Sequence, residues 1–131
     1  MNRDDLGKLI VASGADIDAM QWEGVPGVPG VYRKTLWQSG DVTLGMMRVE
    51  EGKENPEHTH HAAHHHILIL DGDCTMVEKR LGPGSYIYIP PGVPHAVTDV
   101  GPGGCTFFFT YRPLEHQPAA SPLDSEHGGV V

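Results

Sequence analysis

The chain has 131 residues, a formal net charge of −8 and 39% apolar residues, which suits one domain with a core of its own. It contains no run of five or six basic residues, which argues against nucleic acid and anionic membrane as partners. No apolar stretch reaches about 18 residues, so no membrane-spanning helix is predicted. The opening MNRDDLGKLIVASGAD carries acidic residues and lacks the apolar centre of a secretory leader. Two cysteines, Cys74 and Cys105, sit in no CxxC pattern and read as free buried thiols of a cytoplasmic protein.

In chain order, the segment DDLGKLIVAS is the helical candidate. An Asp cap favours it, while Gly7 and the β-branched pair Ile10 and Val11 weaken it. VPGVPG (Val25 to Gly30) is a loop. Then come GVYRKTLWQ, VTLGMMRVE, HHILILD, CTMVEKRL, SYIYIP, HAVTDV and CTFFFTYR. Each is rich in β-branched or aromatic residues and bounded by turn signals such as SGD, DGD, GPG and PPG. The prediction is an all-β sandwich or barrel within residues 1–111, with an N-terminal extension. RPLEHQPAASPLDSEHGGVV, residues 112–131, reads as a flexible tail.

Six histidines crowd nine positions: His58, His60, His61, His64, His65 and His66. In a strand, residues two apart share a face, so His58 and His60 make a two-point clamp for a divalent metal. Alone, such a pair is weak evidence. Gly52 lies six residues before His58, and Gly72 seven after His65. Later, Gly84, Pro90, Gly92 and His95 form a strand, a tight turn and a further imidazole.

These two segments resemble the two motifs of the cupin superfamily. The first, G-x5-HxH-x(3,4)-E-x6-G, is matched by Gly52, His58, His60, His65 and Gly72. The second, G-x5-PxG-x2-H-x3-N, is matched by Gly84, Pro90, Gly92, His95 and Asp99. The resemblance covers residues 52–99 and implies a conical β-barrel, or double-stranded β-helix jelly roll, with one divalent metal near its centre. Histidine replaces the usual glutamate, and Asp99 the final asparagine. The implied ligands are His58, His60, His65 and His95, as in four-histidine cupins. A three-histidine site stays open, and His64 competes with His65 because AAHHH sits at a bend. His61 and His66 are expected to point outward. A neutral ligand in place of a carboxylate leaves the metal more positive, which favours anionic ligands.

In SYIYIP, Tyr86 and Tyr88 share one face. In CTFFFTYR, Phe107, Phe109 and Tyr111 share another. Met46 and Met47 read as core. Trp22 and Trp37 flank the first strands. The candidates for chemistry beyond the metal are Tyr88, His64 and Arg48, the last as an anion binder if it faces inward.

PGVYRKTLWQSGD, GMMRVEEG and YIPPGVPHAV together resemble cupins related to acetylacetone-type and dihydroxyacetophenone-type dioxygenases. The likeness implies a non-haem iron(II) dioxygenase acting on a small enolisable or hydroxyaryl-ketone substrate. Mn, Ni, Co and Zn are the other metals considered. The alternatives are a redox-neutral isomerase, cyclase or lyase, or a non-catalytic binding module. Small cupins usually cover their edges by pairing, so a homodimer is expected.

Overall fold

The computed structural model describes residues 7–61, 63–113 and 121–124. Helix α1 (Gly14–Ala19) precedes ten strands: β1 (Glu23–Gly24), β2 (Val31–Ser39), β3 (Val42–Val49), β4 (Asn55–His58), β5 (Ala63–Gly72), β6 (Cys74–Met76), β7 (Lys79–Leu81), β8 (Tyr86–Ile89), β9 (His95–Val97) and β10 (Cys105–Pro113). The expected tail falls largely outside the described residues.

The helix is not where the sequence suggested. Residues 7–13 are non-helical, and Asp4 and Asp5 lie outside the described residues. The start signal is Ser13. Its hydroxyl accepts from the Asp16 N–H at 3.1 Å, and the Asp16 carboxylate accepts from the Ser13 N–H at 2.9 Å. This reciprocal box satisfies two N–H groups that a helix start leaves open. Lys34 ties the helix down. Its ammonium, 4.5 Å above the Trp22 ring, donates to the Ile17 carbonyl at 2.8 Å, so a lysine only 4% exposed keeps partners for its charge.

Six antiparallel strands form one sheet in the order β1-β2-β3-β10-β5-β8. The pairs β4-β9 and β6-β7 are joined by a bridge between Thr75 and Thr98, with N–H···O distances of 2.8 and 3.0 Å. Side chains alternate along each strand, and the pairing keeps like faces together. Met47, Ile67, Ile69, Ile89, Phe107 and Phe109 fill the inner face and meet Cys74, Met76 and Val97 of the short strands in one core. Burial of an aromatic or aliphatic chain of this kind is worth about 1.5–3 kcal/mol.

The opposite parity forms an outer face with Leu68, Tyr86 and Tyr88. Met46 belongs there too and is only half-buried, so of the two methionines expected in the core only Met47 enters it. CTMVEKRL is not one strand. It folds back at Val77 and Glu78, both at positive φ (48° and 64°), so that Met76 faces Lys79.

The four motif glycines, Gly52, Gly72, Gly84 and Gly92, all have positive φ, at 73°, 76°, 87° and 83°. That is the physical content of their spacing, since L side chains avoid this region. At Gly72 a side chain would also run into the Gly104 carbonyl oxygen. Asp99, at φ 49°, occupies the motif position where asparagine is usual, and Asn and Asp are the non-glycine residues that best tolerate this conformation. Among the described residues, no helix is long and apolar enough to cross a membrane.

Candidate metal centre

Strands β4 and β9 place His58 and His95 directly opposite one another, and the register shifts between Asn55 and His58. Such irregularities re-aim side chains near functional sites. Their ring centroids are 4.3 Å apart. His60 lies two residues beyond the end of β4. Its carbonyl accepts from the Gly92 N–H at 2.9 Å, which pins one histidine segment to the PPG turn that delivers the other. The His60 ring is 5.0 Å from that of His58 and 5.3 Å from that of His95. One ligand nitrogen from each of His58, His60 and His95 can be chosen so that all lie within 4.8 Å of one another.

The tautomers follow from the backbone. His58 Nδ1 lies 2.7 Å from the Pro56 carbonyl, and His95 Nδ1 lies 3.0 Å from the Val93 carbonyl. A carbonyl can only accept, so each Nδ1 carries the proton and donates. Each Nε2 is left with a lone pair. The Nε2 atoms of His60 and His95, and both ring nitrogens of His65, are buried without a hydrogen-bond partner. Burial lowers the His60 pKa to about 4, helped by the nearby His58 and His95 rings. Burial lowers that of His65 to about 3, helped by His95, His60, His58 and His66. His60 and His65 are therefore neutral at pH 7. Converging imidazoles with orphaned lone pairs fit a divalent ion, and His58, His60 and His95 could hold one.

Strand parity separates the remaining histidines. His65 pairs with Ile89 and Tyr111 and faces inward, only 4% exposed. Its ring lies 5.5 Å from His60 and 5.6 Å from His95. His64 and His66 lie on the outer face by parity, although the His64 Nε2 is also buried without a partner. His66 Nδ1 is 2.7 Å from the Tyr86 hydroxyl. His61 is exposed.

The three candidates for further chemistry also lie on the outer face. Tyr88 pairs with His66 and is 40% exposed, and His64 packs near Tyr88. Arg48 pairs with Thr106 and Tyr32 and donates to the Gly103 carbonyl at 3.0 Å. None of the three shares the inner face, because each has the parity opposite to the core residue beside it.

Other residues take their place, among them Arg33, which the sequence did not single out. A cleft of about 310 Å³ opens onto His58 and His60, with Val25, Val28 and Met47 on its apolar wall. Arg33 and Tyr111 also line it. Arg33 pairs with Met47 and so shares the inner face. Tyr111 stacks 4.3 Å from His65 and 4.8 Å from His60. Burial raises the Tyr111 pKa, partly offset by Arg33, so its phenol stays protonated at neutral pH. The parity of Val31 and Arg33 in GVYRKTLWQ is the signal that could have found the arginine.

Fold and site together define a cupin. A family model described as the ChrR cupin-like domain matches residues 12–115, and the chain belongs to that family. Among solved structures, the polyketide cyclase RemF from Streptomyces resistomycificus is similar at 26% identity and a TM-score of 0.66, over 82% of this chain and 83% of that one. KdgF from a Halomonas species shares 20% identity at a TM-score of 0.61, over 75% and 92%. ChrR of Rhodobacter sphaeroides, solved in complex with SigE, shares 21% identity at a TM-score of 0.62. That match covers 72% of this chain and 50% of that one. No curated protein matches.

The lowered histidine pKa values set a pH dependence for the metal-free protein. Above pH 6.5, His60 and His65 are neutral whether the chain is folded or not, and they leave stability flat. Below it, the unfolded chain binds protons that the folded chain refuses until about pH 4 and about pH 3. Stability therefore falls with falling pH across that window. Urea unfolding of metal-free protein from about pH 7 to about pH 4 should show this decline, with a shallower slope in His65→Gln. Equal slopes in the two proteins would contradict it.

Proposed function

We propose that this chain is a metal-dependent enzyme acting on a small enolisable carbonyl compound, and that its reaction is a redox-neutral rearrangement such as cyclisation, isomerisation or elimination. The observation that carries this reading is the convergence of His58, His60 and His95 beside an apolar cleft. The likeness to a polyketide cyclase over more than four-fifths of both chains supports the reaction class. A divalent ion held by these rings would supply Lewis-acid polarisation of a carbonyl oxygen. The apolar wall excludes water from the substrate body, and the Tyr111 Oη–H is a hydrogen-bond donor at the cleft.

His65 is the proposed fourth ligand, given its inward parity and unpartnered nitrogens. His65→Ala should weaken metal binding by roughly tenfold or more, while His64→Ala leaves it near wild type. Metal content of tag-free protein measures both, and the reverse order would remove His65 from the site.

A second reading is the iron(II) dioxygenase implied by the likeness in the lead-in and PPG segments. The two readings separate with a panel of β-diketones and hydroxyaryl ketones. The redox-neutral reading expects turnover without oxygen uptake and with zinc bound. A dioxygenase needs iron and oxygen in step with substrate, because Zn(II) is d¹⁰ and redox-inert. Oxygen uptake that stops when zinc replaces iron would reject the first reading. The ChrR family match supports a third, binding without turnover.

The exposed Leu68, Leu70, Tyr86 and Tyr88 support pairing of the outer face with a second copy of the chain. Light scattering should give twice the chain mass, reduced to one by Leu68→Glu. A single mass for wild type would exclude the pair. The buried thiols of Cys74 and Cys105 suit a reducing compartment and support the cytoplasmic reading.

A further inference from the structure

We propose that Arg33 reads a carboxylate in the cleft, so that the substrate class is a small organic acid with an apolar body and an enolisable carbonyl. This rests on the reading of that cleft as the substrate site.

Three observations carry it. The first is placement. Arg33 pairs with Met47 across β2 and β3, and both line the cleft with His58, His60 and Tyr111. The second is its unsatisfied chemistry. Among the described residues, no carboxylate lies within ion-pair distance of the half-buried guanidinium, and no acceptor bonds to it. Five N–H donors in a planar fork are left for a ligand, and that fork matches a carboxylate with two parallel hydrogen bonds. The third is the company it keeps. Val25, Val28 and Met47 are apolar, so Arg33 is the cation that the β2-β3 wall presents to the cleft. Glu57 stands at the cleft and is exposed, beyond ion-pair distance.

Size and charge narrow the ligand further. A volume of about 310 Å³ is at the small end for ligand sites. One guanidinium balances a carboxylate but leaves a phosphate, near two negative charges at neutral pH, partly uncompensated. A larger cleft of about 560 Å³ beyond β9 is lined by Glu54, Glu57 and Glu78 and would repel any anion.

The test uses phenylpyruvate and its methyl ester, an enolisable pair that differs by one charge. Calorimetric titration of the full-length, cobalt-loaded chain should show the acid binding at least about tenfold tighter than the ester. Arg33→Gln should abolish that preference while leaving ester affinity and cobalt uptake unchanged. Unchanged uptake shows that the variant is folded. Arg33→Lys should keep part of the preference. Repeating the titration on metal-free protein separates this claim from the metal reading, because the acid should still be preferred there through Arg33 even if no metal centre forms. Equal binding of acid and ester to wild type, a preference that survives Arg33→Gln, or no binding of either at millimolar concentration would overturn the assignment.

Discussion

Two backbone carbonyls decide what the centre of this barrel can be. Pro56 and Val93 each lie two residues before the histidine they orient, and the carbonyl of each accepts a hydrogen bond from the Nδ1–H of that ring. The opposite nitrogen is thereby committed to a lone pair. Around it stand His60 and His65, whose own buried nitrogens find no donor or acceptor. A buried polar atom left unpaired costs about 1–3 kcal/mol. Several at one point make an interior that is costly as it stands and stabilised by a Lewis acid. Protonation of His60 or His65 does not relieve the cost, because burial, and after it the neighbouring rings, disfavours charge there.

The run of histidines is divided by the two-residue period of a strand. On β5 the order out, in, out assigns His64 to the outer face, where it is half-buried with an unpartnered Nε2, His65 to the interior and His66 to the outer face, where it meets Tyr86. The same alternation sends Ile67 and Ile69 into the core and leaves Leu68 and Leu70 exposed. One strand therefore contributes at once to the centre, the core and an apolar outer surface.

Much of this was legible in the sequence. SYIYIP alternates cleanly, and Phe107 and Phe109 of CTFFFTYR share the inner face as their spacing predicts, although Cys105, Thr106 and Phe107 are buried in succession across a register shift. The motif glycines mark turns that other residues resist, which is why the barrel and the histidine centre could be anticipated. What was hidden lacked a local signature. The Val77-Glu78 turn has no Gly, Asn or Asp to announce it. β4, Asn55–His58, contains a proline and little apolar character, so nothing marks it as a strand before β9 pairs with it. Arg33 and Arg48 are alike in sequence. Parity with Val31 hints at Arg33, and the pairing with Met47 or with Thr106 settles which one looks inward.

The hydrogen bond from Gly92 N–H to the His60 carbonyl joins two segments far apart in the chain. An unfolded chain holds no such junction, so an ion meets there only the floppy histidine run without His95. An ion that binds the assembled centre more tightly than it binds that run would draw the folding equilibrium towards the folded state by mass action. The persistence of this small barrel becomes a function of the free ion concentration around it, and starvation for that ion would be felt as a loss of the protein itself.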